Sequence, residues 1–435
     1  MNPVLNLAEG CFTVFSFVFL TGVLSWSSLF VSPDPKVVAF NVESPLDSVS
    51  SLLQYFIYAV SFFFLLVRWR SSIWTALNNP FVWVLPGIAL ASFLWSDFPD
   101  WSLRKAFATV QTSYFGLYVA SRFSLKQQLQ LLGWAFGIVV ILSTVFTLAF
   151  PAAAVEAGAN AGAWRGPFTQ KNLFARLLVL GSIIFMLLAL DSRRHRLLYW
   201  SCFSLCVFLV ILTSSKTALL LLIVFIILLP LYQALRWKGT IVIPLVIIAI
   251  LVGGSIATLV IGNWENLLLS FGRDATLSGR TSLWQAAIEK ILDRFWLGYG
   301  YQGFWRETGE ATAIWNLEGY KPPHAHNGFI NLALDLGFVG LFIFLSTIAI
   351  NYVRAIAWLR LSKTSIDLWP VCYVTFFFMY NHSENTIIEQ NSIFWTLLVM
   401  TSLSMHRFYS TKPEDFQTDL PLKHSSNDSR SFNLN

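Results

Sequence analysis

The stretch that decides the fold is FINLALDLGFVGLFIFLSTIAINYV at residues 329–353, in which Asp335 is the only charged side chain. A helix crosses the hydrocarbon core of a bilayer with about 20 apolar residues. Over its 435 residues the chain is 56% hydrophobic and 12% charged, whereas soluble domains carry about 25% charged residues. The sequence therefore predicts an all-α polytopic membrane protein, and it excludes an ordinary soluble domain.

Further apolar runs, each bounded by charge, proline or asparagine, bring the predicted number of transmembrane helices to about twelve. The predicted spans are 11–31, 51–67, 81–95, 105–121, 129–150, 172–190, 197–213, 216–235, 240–262, 329–353, 366–381 and 391–407. Loops on one predicted face are rich in arginine and lysine, whereas the short loops on the other face hold only Lys36 and Arg104. The positive-inside rule places the basic face and both termini in the cytoplasm. The net charge of +6 is then a signal of topology and not of nucleic-acid binding.

The predicted spans divide the chain into four parts. Residues 1–262 form an N-terminal bundle of about nine transmembrane helices, and residues 263–328 form a long extracytoplasmic loop. Residues 329–407 supply the last three helices, and residues 408–435 are a polar tail that we expect to be disordered and cytoplasmic. Within the long loop, apolar residues recur at helical spacing and predict an amphipathic helix on the outer membrane surface. These residues are Trp284, Ala287, Ile288, Ile291, Leu292 and Phe295.

Cationic side chains and two histidines lie in the predicted outer segments, where the positive-inside rule does not explain them. The cations are Arg165, Lys171, Lys216, Arg273 and Arg280, and the histidines are His324 and His326. Each cation alone is explained by a snorkelling side chain or by exposure to solvent. Together they suit an anionic ligand at the bilayer surface, and arginine in particular binds phosphate through paired hydrogen bonds.

The segments GRTSLWQAAIEKILDRFWLGYGYQGFW at 279–305 and HAHNGFINLALDLGFVG at 324–340 resemble the O-antigen ligase and polymerase superfamily. Its members carry a motif of His, then Asn, Ser or Gln, nine residues, Gly, two residues and Thr. The matching positions here are His326, Asn327, Gly337 and Gly340, with glycine in place of the threonine. The resemblance covers about residues 160–400, including Trp284 and Lys216, where many relatives have arginine.

The resemblance implies a twelve-span glycosyltransferase of the bacterial inner membrane that needs no metal or other cofactor. Its donor is a glycan on undecaprenyl pyrophosphate, and its acceptor is another glycan or a lipid A core. His326 would be the general base, because neutral imidazole can accept a proton at working pH. Arg280 would bind the pyrophosphate and stabilise its charge as it leaves, with Lys216 as a second cation. Arg165, Lys171 and Arg273 are further candidates for pyrophosphate or glycan binding. A chain-length regulator and a flippase are the implied protein partners.

Several alternatives stay open. His324 and His326 could be two metal ligands, although the sequence shows no third one. Asp335 and Arg176 lie within predicted spans, where charges usually pair, and we expect them to support the structure, paired with each other. Glu384 in the loop after residue 381 could bind sugar hydroxyls or be solvated.

The sequence is also compatible with more than one function. The glycine at position 340 favours a polymerase over a ligase, which would transfer the glycan to a lipid A core. A solute transporter is the main rival from another class, since twelve spans with buried charge also describe many carriers, and a flippase for lipid-linked sugars is a third hypothesis.

Overall fold

The computed structural model of the chain describes four ranges of residues, which are 3–32, 47–237, 280–318 and 321–405. The predicted span at 240–262, Arg273 and the predicted tail at 408–435 lie outside them. The helices within the described ranges are α1 (Pro3–Leu20), α2 (Asp47–Val67), α3 (Trp69–Leu77), α4 (Phe81–Ala91), α5 (Pro99–Arg122), α6 (Leu125–Ala149), α7 (Pro151–Ala154), α8 (Lys171–Asp191), α9 (Arg196–Leu212), α10 (Lys216–Ala234), α11 (Arg280–Asp293), α12 (Ala311–Glu318), α13 (Gly328–Leu361), α14 (Trp369–Tyr380) and α15 (Ile393–Ser404).

These helices confirm the all-α polytopic membrane class. Among the described residues six helices are long and apolar enough to cross a membrane, and α3 with α4 forms a seventh candidate that bends by 92°. The predicted number of twelve spans is not confirmed within the described residues, and the span predicted at 240–262 lies outside them. The apolar helices α14 and α15 have 12 residues each, which is less than the roughly 20 residues of a full span. Helix α5 has 24 residues but carries acidic and basic side chains near its ends.

Ion pairs join loops that the sequence assigns to the same face. Arg68 and Arg122, from two predicted inner loops, both contact the carboxylate of Glu9 in α1, which is buried. Lys126 lies 3.0 Å from Asp191 and so links the start of α6 to the end of α8. The contacts group the basic loops together, as the charge asymmetry predicts, while the orientation of that face in the membrane stays a prediction.

Two buried helices form the centre of the described bundle. Helix α8 is buried along nearly its whole length and packs against α6, α9 and α10. All residues of α15 are buried, and this helix packs closely on α5. A Cβ added at Gly116 of α5 would lie 3.0 Å from the carbonyl of Thr396, so glycine permits this close approach.

Helix α13 is broken at Gly337, whose φ of 65° and ψ of −165° are not helical. The loop at 295–299 fills the break. The N–H of Phe338 donates to the carbonyl of Phe295 at 2.7 Å, and the N–H of Tyr299 donates to the carbonyl of Leu334 at 2.8 Å. Backbone groups that a kink frees must find new partners in an apolar environment, and this loop supplies them.

The two motif glycines therefore have different surroundings. A Cβ at Gly337 would lie 2.3 Å from the backbone of Trp296, so this residue allows the loop to approach the helix. A Cβ at Gly340 would instead meet the side chain of Leu336 on the same helix. The lack of a side chain at Gly340 therefore does not allow a neighbouring helix to approach α13 more closely.

The amphipathic helix of the long loop is observed as α11, from Arg280 to Asp293. Leu283 and Ala287 are its buried residues and pack in a small cluster with Tyr299, Phe304 and Trp315. The predicted apolar residues Ile288 and Leu292 are 49% and 65% exposed. The same cluster includes Leu334 of α13, so the buried face of α11 packs on both the rest of the loop and α13, and part of its apolar surface stays uncovered.

Candidate functional site

The motif histidine lies in a strained turn at the N-terminus of α13. His326 has a φ of 49°, in the left-handed region that residues other than glycine rarely adopt. Asn327 follows as the N-cap, and its side-chain oxygen accepts from the N–H groups of Phe329 and Ile330 at 3.0 and 3.2 Å. The indole of Trp284 donates to the carbonyl of Ala325 at 2.8 Å and holds the approach to the turn. Asn327 of the motif and Trp284 of α11 thus support the position of His326.

Glu384 brings the predicted base and the predicted pyrophosphate ligand together. Its Oε2 lies 3.6 Å from Nδ1 of His326, and its Oε1 lies 3.8 Å from a terminal nitrogen of Arg280. Arg280 also donates to the carbonyl of Ser383 at 3.0 Å. Nδ1 of His326 is buried and has no hydrogen-bond partner among the described residues. The carboxylate therefore faces a base on one side and a cation on the other.

The loop that carries Glu384 is fixed by Asn381, which is fully buried. The N–H of Gly328 donates to the backbone carbonyl of Asn381 at 2.8 Å, and the Asn381 side chain accepts from the N–H of Thr386 at 2.8 Å. A Cβ at Gly328 would lie 2.5 Å from Oδ1 of Asn381. The glycine after the His–Asn pair thus lets the start of α13 touch the loop.

The surroundings shift the pKa values of two of these groups. Burial would raise the pKa of the Glu384 carboxyl, but the contact with His326 and the positive charge of Arg280 hold it at about 2. Burial, together with the neighbouring His326, lowers the pKa of His324 to about 3. At neutral pH the site therefore contains an ionised carboxylate and an uncharged His324.

The same residues form a possible metal site. His324, His326 and Glu384 each offer one ligand atom, and these atoms lie within 4.8 Å of one another. Two histidines and one carboxylate are a ligand set that zinc accepts. Glu384 is thus the third ligand that the sequence did not show. Arg280 is a cation that already lies beside Glu384, so it would compete with a metal ion for this carboxylate.

A second group of polar residues lies on the far side of Glu384, where the N-termini of α8 and α10 meet. Asn172 donates to Oε1 of Glu384 at 3.4 Å and accepts from Ser215 at 3.0 Å. Lys216 follows Ser215 as the first residue of α10 and is exposed. Arg176, one turn into α8, packs its guanidinium over the ring of Phe394 at 4.7 Å. A small pocket between these elements is lined by Asn172, Ser215, Thr217 and Glu384, and Lys216 is not among its lining residues.

The expected pairing of Arg176 with Asp335 is wrong. In the described ranges no ion pair joins them, and Asp335 is instead 3.5 Å from the side-chain amide of Asn331, with Oδ1 unpartnered. Arg176 faces Tyr380, Glu389 and Glu384. The two buried charges lie on different helices and use different neighbours.

Two further predicted cations have other partners. The five N–H groups of Arg165 donate to backbone carbonyls of residues 28, 31, 32, 153 and 169, and the side chain is buried. This arginine ties the loop before α8 to the segment after α1, with no donor left for a phosphate. The ammonium of Lys171 donates to the side chain of Asn160 at 2.9 Å.

Comparison with known proteins connects this site to a family. Residues 200–345 match the family model described as O-Antigen ligase. The predicted family resemblance is thereby confirmed over this region. The O-antigen ligase region begins in α9 and ends in α13, so it contains Lys216, Arg280, His326 and both motif glycines, while Glu384 lies beyond its end.

One curated relative gives a second match. Over 91 residues the chain is 35% identical to "Exopolysaccharide production protein ExoQ" of Rhizobium meliloti (strain 1021). The aligned stretch is 20% of this chain and spans 21% of the length of that relative. The O-antigen ligase region and this relative both relate the chain to proteins of cell-surface polysaccharide biosynthesis.

Proposed function

We propose that the protein is a membrane glycosyltransferase that acts on the extracytoplasmic face of the bacterial inner membrane, with both termini in the cytoplasm. The donor is a glycan on undecaprenyl pyrophosphate, and the preferred activity is polymerisation of glycan units. The observation that carries the proposal is the position of His326, strained and facing Glu384, which also contacts Arg280. Strained backbone conformations cluster at functional sites because the surrounding fold must hold them. The O-antigen ligase match over residues 200–345 supports the same class of chemistry.

In the proposed reaction His326 takes the proton from an acceptor hydroxyl. The acceptor oxygen forms a bond to the anomeric carbon of the donor sugar while the bond from that carbon to the pyrophosphate oxygen breaks. The lipid pyrophosphate leaves with the electron pair, and attack from the opposite side inverts the anomeric configuration. Glu384 stabilises the imidazolium that forms, since a carboxylate favours the charged form of a neighbouring base.

Arg280 is the proposed ligand of the leaving pyrophosphate. Its guanidinium is half-buried and reaches the loop of Glu384, so it can offer paired donors at the edge of the site. Lys216, adjacent to Ser215, is proposed as a second and less directional cation. Lys171 is a weaker candidate, and Arg273 stays a prediction. Arg165 is left out because its donors are already used.

A ligase that transfers the glycan to a lipid A core is the alternative. Purified protein incubated with a lipid-linked oligosaccharide, with and without a lipopolysaccharide core, separates the two. A ladder of longer glycans without core supports polymerisation, whereas a product that forms only with core supports the ligase. A chain-length regulator and a flippase are proposed partners in the cell, and adding the former should narrow the ladder.

Two controls test the mechanism. His326→Ala should abolish the product, whereas His195→Ala, an exposed histidine between α8 and α9, should leave it unchanged. The proposed reaction needs no metal, because Arg280 supplies the positive charge. Loss of activity in a chelator, restored by zinc, would instead assign a metal to His324, His326 and Glu384. Solute uptake without any glycan product would favour a transporter.

A further inference from the structure

A pocket of about 210 Å³ opens beside His324. Its walls come from the start of α5, the loop between α11 and α12, the first turns of α13 and the loop before α15. The pocket is smaller than the roughly 300–1,000 Å³ of sites for drug-sized ligands. Its size suits a single ring.

Two indoles and two amides give the pocket a mixed apolar and polar lining. Trp101 and Trp305 line it, and the indole N–H of Trp305 donates to the side chain of Asn331 at 2.7 Å. The amide of Gln302 donates to the amide oxygen of Gln390 at 2.6 Å. These contacts fix the rings and amides before a ligand arrives. Rigid aromatic faces next to oriented amides match a sugar ring, which has apolar C–H faces and an edge of hydroxyl groups.

The lining also contains charged and polar side chains. Arg306, Asp335 and Glu389 line the pocket together with the amides of Gln302 and Gln390. Sugar hydroxyls both donate and accept hydrogen bonds, so they suit a lining that mixes amide, guanidinium and carboxyl groups.

Among the described residues the lining offers a phosphate little positive charge. Arg306 is its one cation, and the carboxyl groups of Asp335 and Glu389 accompany it. Arg280, which lies beside Glu384, is the better ligand for a pyrophosphate. The guanidinium of Arg306 lies over the ring of Trp101, with 3.9 Å between its central carbon and the ring centroid.

We propose that this pocket binds the sugar ring of the acceptor, which carries the attacking hydroxyl. This assignment rests on the proposed glycosyl transfer. His324 lines the pocket, and its ring centroid lies 4.3 Å from that of His326. A ring in the pocket therefore lies next to the general base, while Arg280 holds the donor pyrophosphate beside Glu384. Gln302, Arg306, Asp335 and Gln390 become the residues that select the acceptor.

Binding can be measured without turnover by saturation-transfer NMR on the purified full-length protein in detergent. The probes are the methyl glycosides of glucose, galactose, mannose and glucuronic acid. Arg306→Gln and Gln390→Ala should weaken binding of the preferred glycoside about tenfold, the loss expected for one hydrogen bond to a charged or oriented group. Arg294→Gln is the matched control, because Arg294 lies on the same loop but pairs with Asp97 at 2.9 Å, outside the pocket.

The donor side is tested with the same samples. Arg280→Gln should weaken inhibition by inorganic pyrophosphate and leave glycoside binding unchanged, and Arg306→Gln should do the opposite. Equal glycoside binding in all variants, or none by the wild type, overturns the pocket assignment. Displacement of the glycoside by a lipid-linked donor overturns its assignment to the acceptor. Specific glycoside binding by a protein that transfers no glycan would instead defeat the proposed function and leave the sugar pocket standing.

Discussion

The carboxylate of Glu384 lies 3.6 Å from Nδ1 of His326, and this contact connects the loop before α15 to the motif at the start of α13. Glu384 is only 6% exposed, yet the pKa of its carboxyl group is about 2, so the group is ionised at neutral pH. A buried carboxylate beside an imidazole orients the ring and favours its charged form. Glu384 is therefore expected to act through His326 as a positioning residue.

Glu384→Gln is expected to lower kcat roughly 10- to 100-fold, less than the 10²–10⁴-fold that general base catalysis supplies. Because the carboxylate acts on the base and does not contact the substrate, its removal should leave KM close to that of the wild type. The measurement is kcat and KM for glycan extension at neutral pH.

The control for this prediction is Glu310→Gln, which removes an exposed carboxylate that pairs with Lys290 at 2.7 Å on the surface of the long loop. It should keep both kcat and KM of the wild type. A Glu384→Gln variant with an unchanged kcat, or with a loss confined to KM, would contradict a role through His326.

Arg280→Gln is expected to reduce kcat/KM by about 10²–10³-fold, the usual effect of removing one group that stabilises developing charge. The kcat/KM of Arg280→Lys should lie between the values of the wild type and Arg280→Gln, because lysine keeps the charge but lacks the paired donors. Steady-state rates with a lipid-linked donor give the comparison. An Arg280→Lys variant as inactive as Arg280→Gln would show that geometry matters more than charge, whereas a fully active Arg280→Gln would remove Arg280 from the site.

Local signals predicted much of this fold. The span predicted at 172–190 is the helix Lys171–Asp191, and the amphipathic segment is the helix Arg280–Asp293. Apolar runs and helical spacing depend on neighbouring residues, so they can be read along the chain. The His–Asn motif is local in the same sense, because Asn327 caps the helix that follows it.

The long-range contacts could not be predicted from the sequence. Glu384 reaches His326 only because Asn381 anchors its loop to Gly328, a contact between α13 and α14. Arg165 has the residue type of a phosphate ligand, but carbonyls from the segment after α1 occupy its donors. The sugar pocket combines four elements, and no spacing in the chain signals that Gln302 meets Gln390.

Gly337→Ala should destabilise the protein by at least about 2 kcal/mol. A φ of 65° costs a residue with a Cβ about 1–2 kcal/mol, and the added carbon would lie 2.3 Å from the backbone of Trp296, which must shift. Thermal unfolding in detergent should show a melting temperature lower by several degrees. The glycosyl transfer rate should fall as well, because the break in α13 positions the long loop that carries Arg280.

Gly137→Ala is the matched control in helix α6. A Cβ at Gly137 meets no atom within 4 Å, and alanine is favoured over glycine in a helix by about 0.5–1 kcal/mol. The melting temperature of this variant should therefore equal or exceed that of the wild type. If Gly337→Ala melted at the same temperature as Gly137→Ala, the contact between the loop and the break in α13 would not contribute to stability.

Asn327→Ala removes an N-cap and should cost about 1 kcal/mol. Asn327→Ser should retain most of the stability and activity, because serine can accept the same hydrogen bonds from Phe329 and Ile330. The thermal shift and the transfer rate are measured for both variants. A serine variant as impaired as the alanine variant would indicate that the amide of Asn327 contacts substrate, and not only the helix that it caps.

We expect the protein to lose stability in acid because unfolding allows His324 to become protonated. Burial and the neighbouring His326 lower its pKa to about 3 in the folded state, whereas the unfolded side chain has a pKa of about 6.5. Between these values the unfolded chain binds a proton that the folded protein does not, so stability falls as pH drops from about 6.5 toward 3. Glu384 acts in the same direction, but only below the ordinary carboxyl pKa of about 4.5.

The interval from pH 6.5 to pH 5 lies above the range in which Glu384 contributes, so here the difference between the wild type and His324→Gln reports on His324. Melting temperatures of the wild type and His324→Gln, measured across this interval, should show a smaller acid-dependent decrease for the variant, because glutamine takes up no proton. His382→Gln, which alters an exposed histidine near the same face, is the control and should follow the wild type. Parallel decreases for the wild type and His324→Gln would show that His324 is accessible to protons in the folded protein, and that its burial does not oppose its charge.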